Sequence, residues 1–322
     1  MLRTLALGLT LLVPFAAFAA TPSPAQTLLE EMAQASRSQN YEGRFLYQFG
    51  GEISTIEVRH AVFDGQEYQR LTHLDGRVSE VLRRGDELLC LHPDGSLTRI
   101  IDGQDGLLTF RDRLVQAIPE QYNVLVDGDS RVAGRAATRI RVAPLDDHRY
   151  GYRLWLDDSS KLMLKSELVD ASGMALERIE FVTLELHPHL KPTDFQMPRA
   201  LSEHSLKRMP ADLPGRVRIQ VAWLPQGFKS VDQDWRRINA SRPPVAAQSY
   251  SDGLATFTVF VEPVHTDGQV EEGVSRVGPT VAISRRLDAT GQNYRVTLVG
   301  EIPQPTAERV MRGVGIVVAD SQ

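Results

Sequence analysis

Residues 41–58 read Tyr41-Glu42-Gly43-Arg44-Phe45-Leu46-Tyr47-Gln48-Phe49-Gly50-Gly51-Glu52-Ile53-Ser54-Thr55-Ile56-Glu57-Val58. Phe45, Tyr47 and Phe49 alternate up to the glycine pair, and Ile56 and Val58 take up the period of two beyond it. Alternation puts every second side chain on one face of a strand, and paired glycines supply the backbone freedom of a tight turn, so the stretch predicts a β-hairpin. Asp64-Gly65, Asp75-Gly76, Gly85-Asp86 and Asp94-Gly95 then mark turns at intervals of roughly ten residues, the spacing of an antiparallel meander.

Upstream, Ser23-Pro24 reads as an N-cap followed by a first-turn proline, and Leu28, Leu29, Met32, Ala33 and Ala35 form one apolar stripe, which predicts an amphipathic helix. Leu107, Phe110, Leu114 and Ile118 stand at helical spacing before Pro119 and predict a second helix. Strand patterns resume at 139–142, 152–156, 162–164 and 179–182, giving one large, mostly antiparallel sheet. Between 188 and 215 the pattern dissolves around Pro192, Pro198, Pro210 and Pro214, the composition of a linker. Beyond it Val217, Ile219, Val221 and Trp223 alternate, as do Ala255, Phe257, Val259 and Val261, then Val281 with Ile283, and Tyr294, Val296 and Leu298. Pro305 opens a short helix that Gly313 stops. The class expected is α+β, divided into a signal segment 1–19, an N-terminal domain 20–200, a linker 201–216 and a smaller C-terminal domain 217–322.

The signal segment rests on Arg3, the apolar run from Leu5 to Val13, and Ala17 and Ala19, whose small side chains place a cleavage before Ala20. The expected destination is the bacterial envelope, outside the cytoplasm. No later stretch approaches the ~20 apolar residues that cross a bilayer as a helix. Cys90 is the one cysteine, so no intrachain disulfide forms; it sits in an apolar run and reads as a buried, inert thiol. A net charge of −5 argues against nucleic-acid binding. Of 36 basic residues only Lys161, Lys165, Lys191, Lys207 and Lys229 are lysine, a bias that suits anionic partners and equally follows from codon usage.

Catalytic signatures are missing: there is no Gly-x-Ser-x-Gly elbow, His-Glu-x-x-His helix, phosphate loop or dinucleotide fingerprint. His187-Pro188-His189 lacks a third ligand nearby, and Asp146-Asp147 and Asp157-Asp158 read as turn caps. The expectation is a protein that is no enzyme and needs no metal or cofactor. What remains is binding surface. Phe45, Tyr47, Phe49, Leu154 and Leu156 are candidates to line an apolar concavity suited to acyl chains. Trp223, Phe228, Tyr250, Phe257 and Phe260, beside Arg285 and Arg286, carry the aromatic and arginine mix that protein interfaces favour. Each of these residues also suits an ordinary core.

Several segments, in order along the chain, carry a resemblance: Arg131-Val132-Ala133-Gly134-Arg135, Asp147-His148-Arg149-Tyr150-Gly151-Tyr152, Trp223-Leu224-Pro225-Gln226-Gly227-Phe228, Asp252-Gly253-Leu254-Ala255, Val261-Glu262-Pro263, Gly278-Pro279-Thr280, Val299-Gly300-Glu301-Ile302-Pro303 and Thr306-Ala307-Glu308-Arg309-Val310. Through them the sequence resembles the MucB/RseB family, periplasmic negative regulators of the sigma-E envelope stress response. The resemblance implies a LolA/LppX-like half-barrel over helices joined to a small mixed-sheet domain. It also implies binding to the periplasmic segment of a membrane anti-sigma factor of the MucA/RseA kind, protection of that segment from regulated proteolysis, and release by lipopolysaccharide or another lipid. No catalytic residue comes with it. Self-association as a homo-oligomer stays open, and the other reading is a soluble lipid carrier of the LolA type.

Overall fold

The computed structural model describes residues 23–85, 87–101, 120–196, 202–206, 217–236, 245–264, 272–289 and 291–318. The signal segment 1–19, the helix expected over 107–118 and most of the expected linker lie outside the described residues.

Helix α1 (Pro24–Ser38) begins where the sequence places it. The Gln26 amide donates to Ser23 Oγ at 3.2 Å while Gln26 Oε1 accepts from the Ser23 amide at 2.8 Å, so two otherwise orphaned donors of the first turn are satisfied reciprocally. Its apolar stripe, Leu29, Met32, Ala33 and Ala35, is buried against the sheet that follows. That sheet contains β1 (Tyr41–Phe49), β2 (Glu52–Phe63), β3 (Gln66–His73), β4 (Glu80–Arg84), β5 (Glu87–Leu91), β6 (Ser96–Ile101), β7 (Tyr122–Val132), β8 (Arg135–Pro144), β9 (Gly151–Asp157), β10 (Met163–Val169), β11 (Ala175–Leu186) and β12 (Ser202–Leu206).

The order β12-β6-β5-β4-β3-β2-β1-β11-β10-β9-β8-β7 places β1 where two meanders meet. Gly50 and Gly51, at φ 60° and 89°, close the two-residue turn between β1 and β2. Every pair is antiparallel except β12 with β6. Residues 202–206, expected within the linker, therefore extend the sheet edge as β12. A strand held by backbone hydrogen bonds at an edge needs no apolar alternation, and Ser-Glu-His-Ser-Leu has none.

The face under α1 holds two clusters, one around Met32, Ile140, Leu154 and Leu156 and one around Phe45, Ile56, Val58 and Leu71. On the other face, a single helical turn (Pro192–Phe195) covers β3–β6 with the fully buried Phe195 ring. Cys90 is half-buried against the second cluster and not sealed in the core, because it sits near the end of a sheet that α1 does not span.

The smaller unit contains β13 (Val217–Val221), β14 (Lys229–Arg236), β15 (Val245–Ser251), β16 (Thr256–Pro263), β17 (Gly273–Val277), β18 (Thr280–Ala289), β19 (Gln292–Gly300), α2 (Gln304–Arg312) and β20 (Val314–Val318). Six strands run β14-β15-β16-β19-β18-β17, and β13 pairs with β20. All described pairs are antiparallel where a mixed sheet was implied, since tight turns join β15 to β16, β17 to β18 and β18 to β19. Helix α2 buries Ala307, Val310 and Met311 on Val259, Val281, Val296 and Leu298.

Candidate functional site: an apolar cavity and a charged junction

Two regions stand out, and they differ in chemistry. The first is a cavity of about 80 Å³ beneath α1, walled by β1, β2, β3 and β11, with Tyr41, Phe45, Val58, Leu71, Ile179 and Phe181 among its lining. Gly43 shapes it. A Cβ there would meet Thr183 O at 2.3 Å and the Phe181 ring at 3.0 Å, so only glycine lets Phe181 lie across the strand, where its ring centroid is 5.5 Å from that of Phe45. Gln69, 7 % exposed, is the most polar side chain in the wall.

Of the five residues expected to line a concavity, Phe45 does. Tyr47 and Phe49 are half-buried farther along β1 and stack on each other at 6.1 Å. Leu154 and Leu156 pack instead in the cluster with Leu29 and Met32 directly under α1, where the helix leaves no space. Gln69, Leu71 and Val58 escaped the sequence reading, although β2 and β3 pair Val58 with Leu71 and His60 with Gln69 on one face.

The second region joins the two sheets. The loop between β8 and β9 inserts Arg149, whose side chain is fully buried, into the smaller unit. Its Nε and Nη2 donate to both oxygens of Asp146 at 3.0 and 2.9 Å, Nη2 donates to Gln226 O at 2.7 Å, and Nη1 donates to the equally buried Asp252. The guanidinium lies 5.5 Å from the Tyr122 ring centre and 5.3 Å from that of Phe228. Tyr122 Oη donates to Asp252 at 3.2 Å, and the other Asp252 oxygen accepts from the amides of Leu254 and Ala255 at 2.9 and 2.7 Å.

Burial works against the Arg149 charge, but the bonds to Asp146 and the charge of Asp252 outweigh it and hold the guanidinium above its ordinary range. Burial likewise opposes ionised Asp146, yet its bonds from Arg149 and the His148 amide hold the carboxyl below its usual value. Burial, then the charge of Asp252, pushes the Tyr122 phenol well up.

Around this pair, Tyr150 Oη donates to Ile302 O at 3.3 Å and His148 Nδ1 lies 3.1 Å from Thr306 Oγ1. Trp223 is half-buried with the Arg309 guanidinium 3.8 Å over its ring and the His148 ring edge-on at 5.2 Å. A separate contact seats the β17–β18 turn on the β1–β2 turn, where a Cβ on Gly278 would lie 3.1 Å from the Gly50 amide.

The seven residues expected to meet a partner divide by face. Phe228, Tyr250 and Phe257 are core, with Phe257 5.5 Å from Phe228 and stacked on Tyr250 at 5.0 Å. Their rings fill the unit and are not free surface. Arg285 faces the helix side and donates to Val314 O at 2.7 Å; burial, partly offset by Glu272, pulls its guanidinium below the ordinary range. Phe260 and Arg286 share the opposite, outer face, because Phe260 pairs with Thr297 and Thr297 with Ser284, two residues from Arg286. Among the described residues no group of three or more His, Cys, Asp or Glu is placed to hold a metal.

These two sheets and the junction between them define a two-part binding protein, and residues 24–201 match the model of the MucB/RseB N-terminal domain while residues 215–315 match that of the MucB/RseB C-terminal domain. The chain belongs to the MucB/RseB family. It is similar to the sigma factor AlgU regulatory protein MucB of Pseudomonas aeruginosa, 36 % identical over 310 residues that cover 96 % of each chain. The sigma-E factor regulatory protein RseB of Escherichia coli K12 is 28 % identical over 315 residues, 93 % of each. Among solved structures, MucB in complex with MucA(peri) superposes with a TM-score of 0.72 at 33 % identity, covering 92 % of this chain and 100 % of that one. The crystal structure of MucB by itself gives 0.61 at 32 % identity, covering 90 % of this chain and 97 % of that one.

Proposed function

We propose that this protein works in the periplasm, where it binds the periplasmic segment of a membrane-spanning anti-sigma factor, shields it from regulated proteolysis, and lets it go when lipopolysaccharide or another lipid binds. The observation that carries the reading is the superposition on MucB in complex with MucA(peri), which extends over 92 % of this chain and so takes in both sheets. The lower TM-score with MucB alone, 0.61 against 0.72, accords with an arrangement of the two units that suits partner binding.

Ordering an otherwise loose segment on a folded surface consumes ~2 to 5 kcal/mol of the gross interaction, so a moderate affinity is expected. Trp223, Phe260, Arg285 and Arg286 keep accessible surface and stay in the proposed partner site. Release by lipid requires that lipid favour an arrangement of domains 20–200 and 217–322 that the partner does not, since a ligand equal in both states shifts nothing. The competing reading is a LolA-type carrier, which needs room for whole acyl chains. No catalytic step is proposed.

Calorimetric titration of the chain from Ala20 with the periplasmic fragment of its anti-sigma factor, with and without lipopolysaccharide, checks the reading. Saturable binding that lipopolysaccharide reverses is the expected outcome. Absence of fragment binding would sink it, and binding indifferent to lipid would remove the release step.

A further inference from the structure

The cavity beneath α1 contains a polar atom that the protein itself leaves without a partner. Gln69 is 7 % exposed and lines the cavity, and its Oε1 is buried with no hydrogen bond. A buried carbonyl without a donor costs about 1–3 kcal/mol, so its place in a wall that is apolar apart from Ser36 and Tyr41 points to a donor that arrives from outside.

We propose that this cavity binds the apolar portion of a single aliphatic chain whose hydroxyl or amide N–H donates to Gln69 Oε1. The inference deepens the lipid arm of the function above and rests on it only in assigning a lipid to this sheet. Three features fix the class of ligand. The cavity, about 80 Å³, is large enough for a short apolar segment and too large for a single water. Phe45, Val58, Leu71, Ile179 and Phe181 supply most of the walls, and none of the lining residues carries a charge, so a carboxylate or phosphate has no counter-charge there. A peptide threaded into the same space would bring backbone N–H and C=O groups that this wall cannot satisfy, whereas an aliphatic chain brings none.

Gln69 is thus the residue that selects the ligand. The unbranched alcohol 1-decanol and its isomer 1-methoxynonane have the same size, but only the alcohol donates. Titrated separately into the wild-type chain from Ala20, with displacement of a fluorescent apolar probe as the readout, the alcohol is expected to bind about tenfold more tightly. Decanoate should bind less well than decanol. In Gln69→Leu the two neutral ligands should bind alike, with the ether no weaker than in the wild type.

Equal affinities for alcohol and ether in the wild type, a comparison that needs no variant, would overturn the proposal. So would an unchanged ratio in Gln69→Leu. Loss of anti-sigma fragment binding in Gln69→Leu with the ratio intact would place a peptide side chain there instead. Fragment binding is measured separately, so selectivity without any effect of lipid on the partner would discard the release mechanism and keep the site.

Discussion

The junction and the cavity treat buried polar groups in opposite ways. At the junction, Arg149 donates from Nε, Nη1 and Nη2 to Asp146, Asp252 and Gln226, and Asp252 in turn accepts from Tyr122, Leu254 and Ala255. In the cavity, Gln69 presents a carbonyl oxygen to an apolar wall and finds no donor. A satisfied network in low dielectric is rigid and specifies one arrangement, because each group is costly to expose alone. An unsatisfied group is a vacancy for hydrogen bonding. The first region ties the two sheets together, and the second leaves an acceptor open, which is what the proposed ligand would fill.

The sharpest way to break that contrast is Arg149→Met. It leaves Asp252 buried without its counter-charge, and the expected loss is about 3–5 kcal/mol in denaturant unfolding. Replacing Asp252 by Asn in the same chain should restore part of it, because the amide removes the fully buried charge while its oxygen still accepts from Leu254 and Ala255, and only the partly exposed Asp146 is left without its cation. A double mutant as unstable as the single one would mean that the pair acts by packing alone. Gly43→Ala comes next. Its Cβ would stand 2.3 Å from a backbone oxygen, so the strand or the Phe181 ring must shift, at about 1–3 kcal/mol, and affinity for apolar probes should change with the cavity's shape.

The smallest effect is that of pH. The Asp146 carboxyl is held below its ordinary value in the fold, so its contribution is fully present above about pH 4 and fades as pH falls below that. The raised Tyr122 phenol acts at the other end: above about pH 10 the unfolded chain loses that proton and the folded one keeps it, so stability declines. Titrating unfolding free energy against pH in wild type and in Tyr122→Phe isolates its share of the alkaline limb, which should be shallower in the variant, while the Tyr47, Tyr150 and Tyr250 phenols, also pushed up by burial, keep the rest.

Much of the fold was legible because alternation and turn chemistry are local. The 41–58 hairpin, the capped first helix and the terminal Pro305–Gly313 helix follow from spacing and end signals alone. Strands β12 and β17 were not, since edge and exposed strands are held by backbone bonds and carry no apolar period.

The site was less legible. Phe228, Tyr250 and Phe257 have the composition of an interface, but aromatic residues serve a core equally well, and only three-dimensional packing separates the two. Arg149 and Asp252 lie 103 residues apart, and no periodicity joins them. The short segments that carry the family resemblance nevertheless hold these residues: Asp147–Tyr152 contributes Arg149, Trp223–Phe228 contributes Gln226 and Phe228, Asp252–Ala255 contributes Asp252, and Thr306–Val310 contributes Thr306 and Arg309. Scattered in sequence, they converge on the junction.

Because Arg149 ties the two sheets together, partner capture of the kind proposed should depend on it. The direct measurement is the affinity of the periplasmic anti-sigma fragment for Arg149→Met beside that for the wild type, at a temperature where circular dichroism shows both folded. A drop of about tenfold or more, reversed in part by the added Asp252→Asn change, is the result expected. Wild-type affinity in the folded Arg149→Met protein would contradict the claim and leave the junction a matter of stability alone.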